Sequence, residues 1–530
     1  MYPTPRSHRP LIMGRNGAVG ANHPMAAQAG LDILRAGGNA IDAAVAVSLA
    51  LGVCEPMMSG LGGDGFYNVA LADGKAAVFN GTGPAPKSAT AERFAKGVAI
   101  AGPLSVSVPG CLAGIAAMHA AHGNMAWADL AKPAIALARD GFAATHGYRF
   151  FSANCQKLLE ADARSAKVFL GKELGGIVLQ PDLARTLEEI AADGAETFYR
   201  GKLARRLANG IADAGGMVTE EDLAACHAEL MAPIAITYRG WEIRQTPPNS
   251  TGFTMLQTLK IAERFDLAKL SLAERVHVLV EAKKLAFLDR ESYGADPRFE
   301  TVPIERLLSD AHADALAAKI DMKRAAIIGP IADAVAGDTT YFCVVDAEGN
   351  AVSGIQSING AYGSGVTAGD TGVLLNNRMA YWHVAAGHAN RLIPGKRVRH
   401  TMNAPIVLKD GKLVAVLGTP GADNQVQVNA QVVVNMLDMN DDPQAALERP
   451  RWTSSQAGQG ANWPHAGDGA LSIEVDHGED VLADLARRGH SLTRLAHLDG
   501  PCAMQAIRVL DNGVRMAGSD PRRDGWAGAY

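Results

Sequence analysis

Four tight turns, each between two short apolar runs, constrain the fold of this 530-residue chain more than any other feature. Three are Asp73-Gly74, Asp410-Gly411 and Asn512-Gly513, and the fourth is the polar stretch at residues 346–350. Asp-Gly and Asn-Gly predict β-hairpins, because these residues tolerate the positive φ angles that a two-residue turn requires. Hairpins make antiparallel sheets. We therefore expect an α+β fold, with helices flanking antiparallel sheets, and not a doubly wound parallel fold.

Helical patterns fill much of the remaining chain. Residues 23–53 are rich in alanine and predict two packed helices, separated at Gly37-Gly38 and restarted at the N-cap residue Asn39. Ser271 and Glu274 form a capping box at the start of another helix. Similar helices dominate residues 110–325. Because no repeat, charge block or low-complexity linker divides the chain, one structural unit is expected.

The composition argues against several classes of partner. Charged residues make up 20% of the chain and the net charge is −5, which gives no basic surface for nucleic acid or for an anionic membrane. No apolar run approaches the roughly 18 residues of a membrane span, and the N-terminus lacks the apolar core of a signal peptide. The six cysteines are scattered, without zinc or disulfide spacing. We expect a cytoplasmic enzyme that acts on a small molecule.

Two motifs suggest cofactors but lack the necessary context. The segment "GLGGDG" at residues 60–65 matches a dinucleotide-binding fingerprint by its letters, yet a helix precedes it and a strand follows, which is the reverse of the required order. A close approach of this glycine-rich backbone to a neighbouring active strand is the better interpretation. His383 and His388 are five residues apart, a poor spacing for a metal site on a helix. We predict no metal and no cofactor.

The hairpin around residues 346–350 carries a pair of hydroxyl groups. Thr339 and Ser357 are equidistant from the turn, so they should face each other across the two strands, with Cβ atoms roughly 4.5–5.5 Å apart. A cross-strand hydrogen bond without catalytic meaning would explain this pair. A catalytic role gains weight from "LGTPGA" at residues 417–422, whose glycine turn could direct backbone N–H groups at an oxyanion.

A threonine hydroxyl needs a base to become a nucleophile. Apart from Asp338, the sequence places no acidic residue or histidine beside Thr339. Cleavage between Asp338 and Thr339 would create an α-amino group with a reference pKa of about 7.7–8.0, two bonds from the carbon that carries the hydroxyl. The new terminus would then supply its own base.

At this point the chain resembles the γ-glutamyltransferase family of N-terminal-nucleophile hydrolases. The likeness covers nearly the whole sequence, and its segments follow the family's order. They include "HPMAAQAGLDILRAGGNAIDAAVA", "LGGDGF", "SVSVPG", "YRGWEIRQTPPNSTG", "LVEAKKLAFLDRESYGADPRF", "GDTTYFCVVDAEGNAV", "GVLLNNRM", "GKRVRHTMNAPIVLKDG", "GTPGA" and "SDPRRDGWAGAY". So many ordered matches identify the chain as a member of the family.

The resemblance implies an αββα sandwich of two antiparallel sheets, made as a precursor that cuts itself before Thr339. The products would be a large subunit of residues 1–338 and a small one of residues 339–530, paired as a heterodimer that forms one structural unit. Whether two heterodimers pair further stays open. The Thr339 hydroxyl would attack the Asp338 carbonyl, and after cleavage it would attack a substrate amide to form an acyl-enzyme.

The resemblance also implies roles for other residues of the catalytic centre. Ser357 stands where the family has a threonine that hydrogen-bonds the nucleophile, and it keeps the hydroxyl. Asn359 matches an asparagine near that nucleophile. The amides of Gly421 and Ala422 match a glycine-glycine oxyanion hole, with one glycine replaced.

Departures from the family pattern concentrate in substrate recognition. Asn80 stands in place of the arginine that grips the γ-glutamyl carboxylate, and Tyr381 replaces the acid that takes the ammonium. Arg378 replaces a glutamine, and His400 and Thr401 replace a pair of serines. Because the charge partners of a γ-glutamyl zwitterion are missing, Arg378 and His400 could hold one carboxylate near the scissile carbonyl. A structural ion pair is the alternative interpretation of Arg378.

These residues predict a self-processing amidohydrolase that cleaves the amide of a small, oxamate-like acid, with water as acceptor. Three alternatives stay open. The first is a true γ-glutamyltransferase or glutathione hydrolase, the second a cephalosporin (glutaryl) acylase, and the third a binding relative without catalysis.

Overall fold

Two seven-stranded antiparallel sheets lie face to face in the computed structural model, which describes residues 7–328 and 338–530, with the backbone alone for Asp338. Within these residues the strands are β1 Ile12–Gly14, β2 Ala18–Ala21, β3 Asp64–Ala70, β4 Ala76–Gly81, β5 Phe142–Ala143, β6 Ile177–Val178, β7 Glu229–Met231, β8 Ile234–Tyr238, β9 Trp241–Gln245, β10 Asp338–Val345, β11 Ala351–Asn359, β12 Ile406–Lys409, β13 Lys412–Gly418, β14 Trp452–Ser454, β15 Leu471–Glu474, β16 Leu492–Leu495, β17 Gln505–Val509, β18 Arg515–Ser519 and β19 Trp526–Ala529.

Helices cover the outer faces of both sheets. Over the same residues they are α1 Pro24–Arg35, α2 Ala40–Cys54, α3 Cys111–His122, α4 Trp127–Asp140, α5 His146–Asn154, α6 Gln156–Glu160, α7 Ala163–Phe169, α8 Pro181–Asp193, α9 Lys202–Asp213, α10 Glu220–Ala225, α11 Gly252–Ala262, α12 Leu272–Tyr293, α13 Ile304–Leu307, α14 Asp310–Ala317, α15 Asn424–Leu437, α16 Pro443–Glu448 and α17 Glu479–Arg487. The predicted caps of α2 at Asn39 and of α12 at Ser271 are confirmed as capping boxes.

The strand order defines the sandwich. One sheet runs β1-β18-β17-β13-β12-β9-β8 and the other runs β19-β2-β10-β11-β3-β4-β7. Phe66, Tyr341 and Ile355 of the second sheet pack against Ile406 and Val416 of the first, so an apolar layer fills the space between the sheets. The αββα architecture expected from the sequence is thus confirmed.

All four predicted hairpins form antiparallel strand pairs: β3 with β4, β10 with β11, β12 with β13, and β17 with β18. The sequence did not predict the hairpin of β8 and β9, which turns at Arg239-Gly240. Arg239 has a φ of 52° although it is neither glycine nor asparagine. Its side chain bonds to Asp438 and to the carbonyls of Glu263 and Phe265, which hold the turn from outside.

Candidate active site

Thr339 is the second residue of β10, and it is buried beside Ser357 of β11. The two hydroxyl oxygens lie 3.3 Å apart, with Thr339 as the donor. The predicted contact is therefore present, but the register is not the simple one. Thr340 pairs with Gln356 but Asp338 pairs with Asn359, so two residues of β11, Ser357 and Ile358, lie opposite the single residue Thr339. The extra residue of this β-bulge is thus on β11, opposite the predicted cleavage site.

Ser357 also accepts a hydrogen bond from the backbone N–H of Asn359 at 2.8 Å. Asn359 adopts a φ of 79°, and its side-chain amide donates to the Asn377 carbonyl and to Asn462 Oδ1, at 3.1 and 2.8 Å. These bonds fix the end of β11. The predicted group of Thr339, Ser357 and Asn359 therefore forms one hydrogen-bonded network.

Gly421 and Ala422 lie immediately before α15, with φ angles of 120° and 48°. Within the described part of the chain, neither of their backbone N–H groups donates a hydrogen bond. Adjacent free N–H groups near a helix N-terminus suit a developing negative charge. Gly418, three residues earlier, packs directly against the Tyr341 ring, so this turn lies over the start of β10.

Gln425 is a site residue that the sequence did not reveal. Its Nε2 lies 3.5 Å from the Thr339 hydroxyl oxygen, and its backbone N–H donates to the Ala422 carbonyl at 3.1 Å. Its Oε1 accepts bonds from the backbone and the side chain of Asn403, both at 3.2 Å. Gln425 thus ties the turn of residues 421–422 to Thr339, through contacts made only in the folded chain.

The glycine-rich segment before β3 approaches the active strand, as predicted. A Cβ atom on Gly63 would lie 2.4 Å from the Ser357 carbonyl oxygen, and one on Gly62 would lie 2.1 Å from the Leu374 carbonyl oxygen. These distances exclude any side chain. The backbone of "GLGGDG" therefore allows β3 to pack closely against β11.

Asp64, in the same segment, is the second site residue that sequence reasoning missed. It pairs directly with Ser357 in the β3–β11 ladder, so its side chain lies on the same face one strand further from Thr339. Asp64 Oδ2 lies 3.1 Å from Arg378 Nε and 3.4 Å from His400 Nε2. The Gly83 N–H donates to Asp64 Oδ1 at 2.7 Å. Arg378 and His400, both predicted, therefore meet on an unpredicted carboxylate.

Burial and charge set the ionisation of this cluster. Burial opposes ionisation of Asp64, but its contacts with His400, Arg378 and the Gly83 N–H outweigh burial and lower its pKa. Burial, together with the positive charge of Arg378, lowers the pKa of His400 to about 4. At neutral pH the cluster holds one anion, one cation and a neutral imidazole. Arg378 Nη2 and His400 Nδ1 are buried and have no hydrogen-bond partner in the part of the chain that the structure describes.

Tyr381 and Thr401 complete this cluster. The Tyr381 ring lies 4.6 Å beneath the Arg378 guanidinium, and its hydroxyl lies 3.0 Å from Thr401 Oγ1. Within the described residues, Asn80 reaches this cluster only through Asn249, whose carbonyl accepts the His400 backbone N–H at 2.8 Å. Its Oδ1 accepts from the Thr82 N–H at 3.0 Å, and its Nδ2 donates to Asn249 Oδ1 at 2.9 Å. Both ends of the Asn80 amide are thus engaged by neighbouring side chains and backbone.

The spacing argument about His383 and His388 proves wrong, because these residues lie in irregular chain and not on a helix. The ligand atoms of both histidines and of Glu291 fall within 4.8 Å of one another. The two imidazole rings are stacked, 3.6 Å apart and 7° from parallel, so their in-plane lone pairs do not converge on one point. Arg290 and Arg399 already bind the Glu291 carboxylate. The absence of a metal thus stays a prediction.

None of the helices in the described residues has both the length and the apolar character that a membrane span requires.

Comparisons with known proteins agree with this geometry. A sequence model of the family described as "Gamma-glutamyltranspeptidase" matches residues 26–530. The "Glutathione hydrolase-like YwrD proenzyme" of Bacillus subtilis is 37% identical, over 97% of this chain and 99% of its own. The "Oxamate amidohydrolase proenzyme" of Klebsiella pneumoniae is 34% identical, over 97% and 98%. The crystal structure of cephalosporin acylase from Bacillus halodurans superimposes with a TM-score of 0.91 and 34% identity, covering 100% of this chain and 98% of the other.

Proposed function

Because the chain belongs to the gamma-glutamyltranspeptidase family of enzymes, we propose that it is a self-processing amidohydrolase with the Thr339 hydroxyl as its nucleophile. One observation carries this proposal: the buried Thr339 hydroxyl donates to Ser357 where a β-bulge of β11 interrupts the ladder opposite the Asp338–Thr339 peptide. A Thr–Ser pair with only a structural role requires no interruption of the ladder at that point.

Self-cleavage is the first step. The Thr339 oxygen attacks the carbonyl carbon of Asp338, the peptide C–N bond breaks, and the acyl group moves to the hydroxyl as an ester. Breaking the C–N bond leaves a free amine on Thr339, and water then hydrolyses the ester, which releases the Asp338 carboxylate and restores the Thr339 hydroxyl. The cleavage separates residues 1–338 from residues 339–530, which stay together as a heterodimer.

The mature centre repeats the same chemistry on a substrate amide. The Thr339 amine, with a reference pKa of about 7.7–8.0, accepts the hydroxyl proton and passes it to the leaving nitrogen. Ser357 orients the hydroxyl, and Asn359 and Gln425 hold Ser357 and Thr339 in place. The N–H groups of Gly421 and Ala422 bind the oxyanion, and water releases the acid.

The cluster around Asp64 selects the acyl group. Asp64 lies two strand spacings of about 4.8 Å from Thr339 on the same face of the sheet, so the cluster is placed where the acyl part of a bound amide would extend. Arg378 Nη2, which is buried and has no hydrogen-bond partner among the described residues, offers a donor to a carboxylate or a carbonyl oxygen. Since His400 is neutral at pH 7, Arg378 carries the positive charge of the cluster, opposite the Asp64 carboxylate. We therefore favour the amide of a small, oxamate-like acid over larger acyl groups.

A γ-glutamyl substrate is the second candidate, and a specific observation favours it. Asp64 places a carboxylate beside the Arg378 guanidinium, so the cluster contains both charges that a zwitterion would need. These charges already neutralise each other, and Asp64 is also held by the Gly83 N–H. A zwitterion would have to separate them. For that reason γ-glutamyl hydrolysis ranks second, and glutaryl acylase activity is kept as a third substrate class to test.

Intact-mass measurement of purified wild type and of Thr339→Ala tests self-cleavage. Wild type should give two fragments, the smaller beginning Thr-Thr-Tyr-Phe, whereas Thr339→Ala should remain one chain. Thr340→Val removes the neighbouring hydroxyl and should still cleave. A wild-type chain that stays intact after long incubation would favour the binding relative without catalysis.

An amide panel then tests the substrate class on the mature enzyme. The panel contains oxamate, a glutaryl amide and γ-glutamyl-p-nitroanilide, each assayed by release of amine. Turnover of oxamate or of another small acid amide supports the proposal. If these compounds are inert while the γ-glutamyl compound turns over, the second candidate replaces the first.

A further inference from the structure

A buried arginine lies beside the turn of residues 421–422, here called the oxyanion turn, and the proposed function gives it no role. Arg290, near the C-terminal end of α12, is 1% exposed, and its Nη1 bonds to the Asp423 carboxylate. Asp423 follows Ala422 directly, so their Cα atoms are about 3.8 Å apart. Among the described residues, Arg290 is the cation that pairs with Asp423.

A carboxylate at this place opposes the proposed chemistry. Attack on an amide moves an electron pair onto the carbonyl oxygen, and the N–H groups of Gly421 and Ala422 are the donors for that negative charge. An uncompensated carboxylate on the next residue would repel it, and the repulsion is strong in a buried site because the local dielectric constant is low. The oxyanion turn therefore requires a cation that neutralises Asp423.

The Asp423 side chain also points away from its own helix. Asp423 is the N-cap residue of α15, yet its side chain makes no hydrogen bond to the first turn of that helix. An aspartate at an N-cap ordinarily accepts such a bond. Here Oδ1 binds Arg290, and Oδ2 accepts the Ala461 N–H at 2.8 Å. Arg290 thus neutralises the carboxylate and helps to hold it away from the helix N-terminus.

Arg290 is itself held in a fixed orientation. Its Nε donates to Glu291 Oε1 at 2.9 Å, and its Nη2 donates to the Gln459 carbonyl. Arg399 binds the other oxygen of Glu291, also at 2.9 Å. Two acids and two arginines therefore alternate in a buried chain without net charge, and a planar guanidinium bonded in three directions fixes where the Asp423 carboxylate lies.

We propose that Arg290 is a positioning residue for the oxyanion hole, because it neutralises Asp423 and keeps that carboxylate away from the N–H groups of residues 421 and 422. The inference rests on the proposed function, since it takes these N–H groups as the ones that bind the oxyanion. Because Arg290 acts through Asp423, its loss should weaken binding of the transition state and spare binding of the substrate.

Steady-state kinetics of mature Arg290→Gln tests this role on an amide that wild type cleaves. The variant leaves Asp423 without its cation, so kcat should fall about tenfold or more while KM stays within about twofold. Arg290→Lys keeps the positive charge and should recover most of kcat. Arg239→Gln is the matched control, since Arg239 pairs with Asp438 at the opposite end of α15, and it should keep the wild-type kcat.

A second substitution separates the charge of Arg290 from its packing. Arg290→Gln combined with Asp423→Asn contains no carboxylate that needs a cation, so kcat should return close to the wild-type value. A double variant as slow as Arg290→Gln would show that the packing of the arginine matters and not its charge, and this would overturn the inference.

Asn424→Asp covers the case in which Arg290→Gln fails to fold or to cleave itself. It leaves Arg290 and Asp423 in place and adds an acid at the first residue of α15, where a negative charge stabilises a helix. The melting temperature should hold or rise, while kcat should fall as it does in Arg290→Gln. A role of Arg290 in stability alone predicts no such loss, so an unchanged kcat in Asn424→Asp would also overturn the inference.

The outcomes separate this inference from the proposed function. A wild type that processes itself and cleaves an amide, with kcat unchanged in Arg290→Gln and in Asn424→Asp, would refute the role of Arg290 alone. A wild type that neither processes itself nor cleaves any amide of the panel would refute the proposed function, and the role of Arg290 would be refuted with it.

Discussion

Asp64 changes what Arg378 can do in this chain. A buried guanidinium without an anion is costly, and Asp64 supplies that anion at 3.1 Å inside the protein. The side chain that the sequence assigned to a ligand is thus part of a structural ion pair, as the alternative interpretation of Arg378 expected, and its contact with a ligand stays a prediction. The group left for such a contact is Nη2, which has no hydrogen-bond partner among the described residues.

Asp64→Asn tests whether the ion pair between Asp64 and Arg378 stabilises the fold. The amide can still accept the Gly83 N–H, but Arg378 loses its counter-ion, so the free energy of unfolding should fall by about 3–5 kcal/mol. Added oxamate should raise the melting temperature of the variant more than that of wild type, because the ligand then becomes the anion. Asp73→Asn, at an exposed turn, should leave melting unchanged. A variant as stable as wild type would show that the pair is not structural.

Ser357→Ala tests the hydroxyl network. The change removes the acceptor of the Thr339 hydroxyl, and a lost hydrogen bond of about 1.4 kcal/mol slows a reaction about tenfold. We expect self-cleavage, followed by intact mass over time, to slow by that order. Ser357→Thr keeps the hydroxyl and should cleave near the wild-type rate. Unchanged processing in Ser357→Ala would remove Ser357 from the mechanism.

The residues that sequence reasoning found and those that it missed differ in one physical respect. Thr339 and Ser357 belong to one hairpin, so counting from the turn places them together. Asp64 reaches Ser357 only because β3 pairs with β11, a contact between distant parts of the chain. Gln425 likewise depends on how α15 packs. The extra residue of β11 opposite Thr339 carries no local signal, so counting from the turn predicted the contact but not the register shift beyond it.

Among the elements, strand β3 and the glycines before it pack directly against β11 and so position the candidate site. Turn residues predicted four hairpins because Asp, Asn and Gly select positive φ, whereas Arg239 takes that conformation only through bonds to distant residues. Local turn chemistry therefore predicts the four hairpins, whereas the hairpin of β8 and β9 depends on tertiary contacts of Arg239. The glycines predicted that this backbone lies close to a neighbouring strand, but they did not predict that Gly63 contacts the Ser357 carbonyl.

Gly63→Ala tests the seating of β3. The new methyl group would lie 2.4 Å from the Ser357 carbonyl oxygen, which is backbone and cannot rotate away. We expect a loss of about 1–3 kcal/mol in unfolding free energy, together with slower self-cleavage, because Ser357 must shift. Gly60→Ala is the matched control, since its methyl group would lie 3.6 Å from the Gly52 carbonyl oxygen, an ordinary contact. Equal behaviour of the two variants would show that β3 has room to move.

At the scale of the whole molecule, the proposed cleavage point does not lie between two domains, because each sheet contains strands from both sides of it. Strands β1, β8 and β9 precede it and share a sheet with β12, β13, β17 and β18, which follow it. In the other sheet, β10 lies between β2 and β11, and β11 pairs with β3. The sequence could not give this order, because it depends on pairings between distant strands.

The two fragments should therefore remain associated after cleavage. Separating them would break both sheets and expose the apolar layer between them. We expect one species in native gel filtration and two bands on a denaturing gel, with Thr339→Ala giving the same native elution but one band. Fragments that separate without denaturant would contradict the interleaved sheets.

The stability of the whole chain should fall in acid because several histidines are buried in neutral form. Burial lowers the pKa of His23 and of His400 to about 4 and that of His490 to about 3. Unfolded histidine titrates near 6.5, so between pH 6.5 and 4 the unfolded chain binds more protons than the folded one. The free energy of unfolding must then decrease as pH falls through that window. The stabilisation that comes from the neutral histidines is complete above pH 6.5.

Urea unfolding between pH 4 and pH 7 measures this slope. A pKa that is lower by about 2.5 in the folded chain than in the unfolded chain contributes at most about 3 kcal/mol to the free energy of unfolding. His490→Gln should flatten the slope, since it removes one proton acceptor that only the unfolded chain can use. His8→Gln, at an exposed position, is the matched control variant. If stability were level or higher at pH 4.5 than at pH 7, these imidazoles would have to accept protons within the folded chain, and the neutral His400 assigned to the acyl cluster would be wrong.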